Sequence, residues 1–288
     1  MTILITGSSS YIAQNLIKVL KKRKIDFIGI DSNITKESKK FLRFSILDKK
    51  KIYKIKKKID CIVHLAAISN TNDAEKNPDK CFDINVNGTL NLLNFAKNRK
   101  IPRIIFASTE WVYLNSKHKI NECSQKINFY KIKNVYAETK FLSEMIIMNS
   151  SFIKHCILRF GIIYGRRKKN LSVIEQMIKN LKYKDTFSIG SEKTMRSFIH
   201  IDDIVRSILT ALDFKNNCIS DIQGPEKLTL KKIKDIIEKI LKNKKFLLEL
   251  DPKNPSVRNV KNSLSIDKKK WKPLVSSYDG IKSEINRL

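Results

Sequence analysis

The stretch Thr2-Ile3-Leu4-Ile5-Thr6-Gly7-Ser8-Ser9-Ser10-Tyr11-Ile12-Ala13 decides the fold of this chain. Its apolar, β-branched start predicts a buried strand and its small residues a tight turn. The apolar positions Ile12, Leu16, Val19 and Leu20 predict a helix from Tyr11 to Lys22. Strand, turn and helix in this order aim backbone N–H groups and the positive end of a helix dipole at a phosphate, and small turn residues let a pyrophosphate come close. Gly7, Ser10, Tyr11 and Ile12 are therefore candidate dinucleotide-binding residues. A second apolar run, Asp26-Phe27-Ile28-Gly29-Ile30, ends at Asp31. A carboxylate about two dozen residues after the glycine accepts hydrogen bonds from an adenosine ribose and repels a 2′-phosphate. Ser32 and Asn33 carry no charge to attract that phosphate, so the expected cofactor is NAD rather than NADP.

Further strands are predicted near 41–46, 60–65, 103–108 and 153–160, with helices near 49–57, 79–99 and 135–149. That alternation predicts an α/β fold, a Rossmann-like doubly wound parallel sheet. Beyond Gly165 the rhythm loosens into a helix near 170–181, a short strand near 196–200, a helix from Asp202 to Leu212 and another near 229–241. The expected division is an NAD-binding domain over 1–165, rejoined by 196–224, and a small C-terminal substrate-binding lobe from 166–195 and 225–288. Leu114 to Lys133 lacks clear periodicity and is a candidate lid.

Tyr136-Ala137-Glu138-Thr139-Lys140 falls on the helix predicted near 135–149. Four residues make about one helical turn, so the tyrosine hydroxyl and the lysine ammonium project from one face. An ammonium beside a phenol favours the phenolate and is expected to lower the Tyr136 pKa towards neutrality, which suits the oxygen to take a proton from a sugar alcohol as hydride leaves the carbon.

The chain resembles the extended short-chain dehydrogenase/reductase family, specifically its NAD-dependent nucleotide-sugar epimerases and dehydratases. The likeness runs nearly end to end, through Thr6-Gly7 to Ala13, Ile46-Leu47-Asp48, Val63-His64-Leu65-Ala66-Ala67, Asn85-Val86-Asn87-Gly88-Thr89, Phe106-Ala107-Ser108-Thr109, Tyr136 to Lys140, Leu158-Arg159-Phe160, Arg196-Ser197-Phe198-Ile199-His200 and Trp271-Lys272-Pro273. The resemblance implies that Thr109 bonds a sugar hydroxyl, that Tyr136 is the base, and that Lys140 also holds the nicotinamide ribose. Asp48 would face the adenine, Leu65, Ala66 and Ala67 would line the cofactor, and Arg196 and Arg258 would hold the diphosphate of a nucleotide-diphosphate sugar. It also implies a homodimer built on the helices near 79–99 and 135–149, with apolar faces from Leu90, Leu93, Phe95, Phe141, Leu142 and Met145, and a place in polysaccharide biosynthesis. The glycine turn departs from the family: Ser10 and Ala13 stand at its second and third positions. Ser10 brings a Cβ towards the pyrophosphate and a hydroxyl that either donates to it or caps the helix, so weaker cofactor binding is expected.

Glu110 bears on the reaction and is counted among the substrate-binding residues. The resembling 4,6-dehydratases use an acidic residue or pair after the catalytic threonine, and here Glu110 is followed by Trp111, which is no base. The first reading is therefore an NAD-dependent epimerase, UDP-hexose 4-epimerase-like, acting through a transient 4-keto sugar. A 4,6-dehydratase, a 4-keto reductase and a non-enzymatic dinucleotide-binding protein are the alternatives.

At 288 residues the chain is long enough to bury a sizeable core. Its formal net charge of +30 comes from lysine clusters spread over predicted helix ends and loops, without a recognition motif, so no specific nucleic-acid partner is expected. Cys61, Cys81, Cys123, Cys156 and Cys218 show no metal-ligand spacing and follow no secretory segment, which predicts a reducing cytoplasm and no structural disulfide. The four histidines are scattered, so no metal is expected; His64 reads as a core or loop residue and His200 as support for a strand–helix junction. No apolar run approaches the roughly 18 residues that span a bilayer, so no membrane insertion is expected.

Overall fold

The computed structural model describes residues 1–113, 116–120, 127, 129–180, 186–242, 247–250, 258–261 and 271–287. Along the chain the elements are β1 (Thr2–Thr6), α1 (Tyr11–Lys22), β2 (Asp26–Asp31), β3 (Phe41–Arg43), α2 (Lys49–Tyr53), β4 (Cys61–His64), α3 (Thr71–Lys76), α4 (Pro78–Phe82), α5 (Gly88–Asn98), β5 (Arg103–Thr109), β6 (Ser116–Ile120), α6 (Val135–Met148) and β7 (Lys154–Phe160). There follow β8 (Ile162–Tyr164), α7 (Val173–Asn180), β9 (Thr186–Ile189), β10 (Met195–His200), α8 (Ile201–Asp213), β11 (Cys218–Ile222), β12 (Lys227–Thr229), α9 (Leu230–Leu241), β13 (Leu247–Leu250), β14 (Arg258–Val260) and α10 (Ser277–Arg287).

One compact unit comprises Met1–Val112, Ile127–Arg159 and Ile208–Ser220. Its frame is a seven-stranded sheet in the order β11-β7-β5-β4-β1-β2-β3. The pairs β1–β2, β1–β4, β2–β3 and β4–β5 are parallel, as the predicted βα alternation requires. Leu4, Ile28, Ile62, Ile104 and Ile157 from the strands are buried in one cluster with Leu92 and Phe95 of α5 and Ile147 of α6. These strands are apolar at consecutive positions because helices cover both faces of such a sheet.

The helix predicted near 79–99 is broken. A π-helical turn at Asp83–Asn87 joins α4 to α5. Such turns are rare and recur at functional sites, and this one carries Asn85 into the interior.

The second unit comprises Tyr113–Lys126, Phe160–Ser207 and Asp221–Leu288. It holds a three-stranded sheet, β12-β10-β8, and the parallel pairs β13–β9 and β14–β6. Tyr164, Met177, Phe198, Ile233, Ile237 and Ile281 form its core. Its boundaries differ from the expected lobe. The chain leaves the first unit at Phe160 because Ile162-Ile163-Tyr164 pairs with Phe198-Ile199-His200. Of 196–224, only Ile208–Ser220 belongs to the first unit. The candidate lid Leu114 to Lys133 lies partly outside the described residues, and its described part includes β6.

Cys156 on β7 and Cys218 on β11 stand face to face across adjacent strands, with Cα atoms 4.8 Å apart, a juxtaposition the sequence reading did not foresee. A sequence separation of 62 hid this pair, since only the crossover that seats β11 beside β7 brings them together. Cys61 and Cys81 are buried thiols, and Cys123 lies outside the described residues.

Candidate active site

Gly7 takes φ +67°, and a Cβ there would stand 2.7 Å from the backbone of Ala66. Only glycine meets both demands. Ser10, by contrast, has φ −67° and ψ 158°, open to any residue, and its hydroxyl accepts from the Ala13 N–H at 3.3 Å as the cap of α1. Of the two roles open to Ser10, the cap is the one seen. Asp31 ties the turn to the end of β2. One carboxylate oxygen accepts from the Ser9 N–H at 2.9 Å and the other from the Asn33 N–H at 2.8 Å. An ionised carboxylate has about four lone-pair sites, so ribose hydroxyls still find acceptors there. The Ser8 hydroxyl is buried and, among the described residues, has no hydrogen-bond partner. A tight turn at a helix N-terminus, an acidic strand end and an orphaned hydroxyl fit a dinucleotide. Asp48 caps α2, accepting from the Lys51 N–H at 3.0 Å.

His64 locks the turn to the rest of the site. The Thr89 hydroxyl donates to the Asn85 carbonyl and accepts from His64 Nε2 at 3.0 Å, while His64 Nδ1 accepts from the Thr6 hydroxyl at 2.7 Å. Thr6 Oγ1 in turn accepts the N–H groups of Leu65 and Ala66, each at 3.2 Å. Every proton in this chain is assigned if His64 is the neutral Nε2–H tautomer. Burial, reinforced by the positive charge of Lys140, holds the His64 pKa well below its ordinary value and keeps that form.

Thr109 ends β5, and Tyr136 and Lys140 sit one turn apart on α6, whose cap is the Asn134 side chain accepting from the Ala137 N–H at 3.0 Å. The Thr109 hydroxyl hydrogen-bonds Tyr136. Lys140 is buried, its ammonium 3.8 Å from the centre of the Phe106 ring. The expected low tyrosine pKa is corrected. Burial pushes Tyr136 up to about 12, against the lowering effect of the Thr109 hydrogen bond, and pushes Lys140 down to about 7, against the raising effect of the Glu144 carboxylate. Desolvation is the largest cause for each group.

A stability effect follows from the lysine. Its folded value of about 7 lies below its ordinary 10.5, so the unfolded chain holds the proton more tightly and the buried charge opposes folding most at pH 7 and below. Lys140→Met should therefore raise the unfolding temperature at pH 7, and the gain should shrink as the pH is raised towards 10.5, as thermal unfolding of both proteins at several pH values would show.

Glu110 is buried immediately after Thr109. Arg196, donating to the Met195 carbonyl at 2.8 Å, and Arg258 are buried within the second unit, on β10 and β14. The other sequence-predicted residues, Gly7 to Ile12, Asp31, Asp48, Leu65 to Ala67, Thr109, Tyr136 and Lys140, belong to the first unit. Sequence reasoning gave no role to Asn85. Its side chain donates to the Thr139 hydroxyl at 2.9 Å and accepts from the Ile68 N–H at 2.8 Å, while its carbonyl accepts from Ser143 at 2.8 Å, fixing α6 against the loop after β4. It also missed Glu144. A carboxylate one turn beyond Lys140, on the face meant to be buried, was the available signal. Among the described residues there is no cluster of three or more potential metal ligands.

Residues 3–222 match the NAD dependent epimerase/dehydratase family. The chain is 28% identical over 310 residues to a putative UDP-glucose 4-epimerase of Methanocaldococcus jannaschii, covering 99% of this chain and 97% of that protein. It is 30% identical over 231 residues to a dTDP-D-glucose 4,6-dehydratase of Dictyostelium discoideum, covering 70% of this chain and 53% of that one. Among solved structures, a UDP-glucuronic acid 4-epimerase from Bacillus cereus, in complex with UDP-glucuronic acid and NAD, superposes with a TM-score of 0.84 at 26% identity, over 99% of this chain and 98% of the other. The match spans the Gly7–Ser10 turn, the Thr109 strand and the Tyr136–Lys140 helix together, and the chain belongs to the NAD-dependent epimerase/dehydratase family.

Proposed function

We propose that this chain is an NAD-dependent nucleotide-sugar 4-epimerase that works through a transient 4-keto sugar. The observation that carries this reading is Tyr136 and the buried Lys140 one turn apart on α6, with Thr109 bonded to the tyrosine. Bound NAD supplies a reversible hydride acceptor. Tyr136 takes the proton of the sugar C4 hydroxyl as the C4 hydride departs, and Thr109 orients that hydroxyl. The Lys140 ammonium stabilises the phenolate, and Tyr136 returns the proton to the oxygen when hydride comes back on the other face. A tyrosine held near 12 needs that neighbouring charge to act as a base at neutral pH. Arg196 and Arg258 are proposed to hold the diphosphate, as guanidinium forks suit. The M. jannaschii and B. cereus likenesses support a UDP-sugar substrate; entry of the products into polysaccharide assembly is part of the proposal. Incubation with UDP-, GDP-, CDP- and dTDP-sugars, with NMR of the products, tests the reading. Inversion at C4 supports it, and no change in any sugar would overturn it.

A second reading, 4,6-dehydration, is favoured by the burial of Glu110 beside Thr109 and by the D. discoideum likeness. Under epimerisation Glu110→Gln should change turnover by less than about tenfold. Deuterium from solvent at C5 with a 6-deoxy-4-keto product would replace the first reading by the second.

NADH should bind more tightly than NADPH, because the Asp31 carboxylate repels a 2′-phosphate. Titration of both cofactors checks this, and tighter NADPH would contradict it. A homodimer is also expected. Leu90 and Met145 are 43% and 40% exposed on α5 and α6, whereas Leu93 and Phe95 are buried in the core and cannot serve the interface, contrary to the sequence reading. Light scattering at micromolar concentration should give twice the chain mass. A cytoplasmic location is proposed with the substrate; among the described residues no helix is long and apolar enough to cross a membrane.

A further inference from the structure

Glu144 is fully buried on α6, four residues beyond Lys140 and eight beyond Tyr136, so the three share one helix face. Its carboxylate is clamped from two strands. Arg159 of β7 donates through Nε at 3.0 Å and through Nη2 at 2.6 Å, and the Ser108 hydroxyl of β5 donates to the same group. Arg159 is itself buried. A carboxylate fixed by a guanidinium fork and a hydroxyl cannot swing away, and in a low-dielectric interior its field acts on the nearest mobile cation. Lys140, buried one turn before Glu144 on the same helix face, is a cation within reach of that field. The other groups interacting with Lys140 are the Cys81 thiol from α4, the neutral His64 from β4 and the Phe106 ring from β5, and Tyr136 lies one turn before it on its own helix; none of these is a fixed negative charge.

We infer that Glu144 is a positioning residue of the active site: its clamped carboxylate keeps the buried Lys140 ammonium charged on the helix face it shares with Tyr136. The role rests on the proposed reaction, in which that ammonium stabilises the phenolate. Glu144 raises the Lys140 pKa against the desolvation that holds it near 7, so the lysine is poised where losing the carboxylate would discharge it at neutral pH.

The test reads the lysine directly. Lysines are labelled with ¹³C at Cε, the Lys140 resonance is identified by its loss in Lys140→Met, and its titration is followed by NMR without substrate or cofactor. Glu144→Gln should move the midpoint down by about one pH unit or more, and Glu144→Asp should keep it near the wild-type value. A carboxylate that only braced α6 against β7 would lower stability and leave the midpoint in place, and that result would overturn the inference. Should the single glutamine variant not fold, because Arg159 is left uncompensated, Glu144→Gln combined with Arg159→Met removes both charges and should still lower the midpoint. An unchanged or raised midpoint there would overturn it equally. Since the measurement needs no turnover, a failed epimerase assay and a failed titration are separate results.

Discussion

Tyr136→Phe should lower turnover by roughly 10²–10⁴-fold, the span that accompanies loss of a positioned general acid–base group. The change removes one oxygen. The ring remains on α6, the Asn134 cap and the Asn85–Thr139 bond are untouched, and Thr109 loses one partner while Trp111 N–H still donates to it at 3.2 Å. Cofactor titration should therefore match wild type, and thermal unfolding should differ little. Neither of the other titratable groups tied to this site replaces the phenol as a base: Lys140 is a cation when functional and His64 has both ring nitrogens engaged. Steady-state rates on the sugar nucleotide identified by the panel give the result. Turnover within about tenfold of wild type would remove Tyr136 from the mechanism.

Arg159→Met should destabilise the protein by about 3–5 kcal/mol, the usual consequence of breaking a buried ion pair from one side. The substitution leaves Glu144, with no exposed surface, holding a negative charge on Ser108 alone within the clamp. Desolvation of that charge was offset by two guanidinium hydrogen bonds, and methionine offers neither. Combining it with Glu144→Gln should restore much of the loss, since the desolvated charge disappears with its partner. Urea unfolding of the three proteins measures this. A single variant as stable as wild type would show that the pair contributes nothing at this site.

The Rossmann-like half of the fold was legible because its signals are local. Apolar runs of strand length, Gly7 before a helix and Asp31 at a strand end are each set by neighbours within a few residues, and the observed strands Thr2–Thr6, Asp26–Asp31 and Arg103–Thr109 sit where those runs lie. The short strands Ile162–Tyr164, Thr186–Ile189, Lys227–Thr229 and Arg258–Val260 were not legible. Each is three or four residues long and is stabilised by a partner far along the chain, as Arg258 is by Ser116, so nothing in its own composition marks it.

The sequence by itself determined the α/β class, the dinucleotide turn and the types of residue that carry the chemistry, because helix periodicity places Tyr136 and Lys140 on one face whatever surrounds them. Only the tertiary structure decided how their proton affinities shift. Burial reverses the expectation for the tyrosine, raising it, and lowers the lysine, and depth inside a fold is a property of packing rather than of spacing. It likewise decided that Glu144 answers to Arg159 and Ser108, and that Cys156 meets Cys218. These pairs are made across strands that the chain order separates and the sheet order brings together.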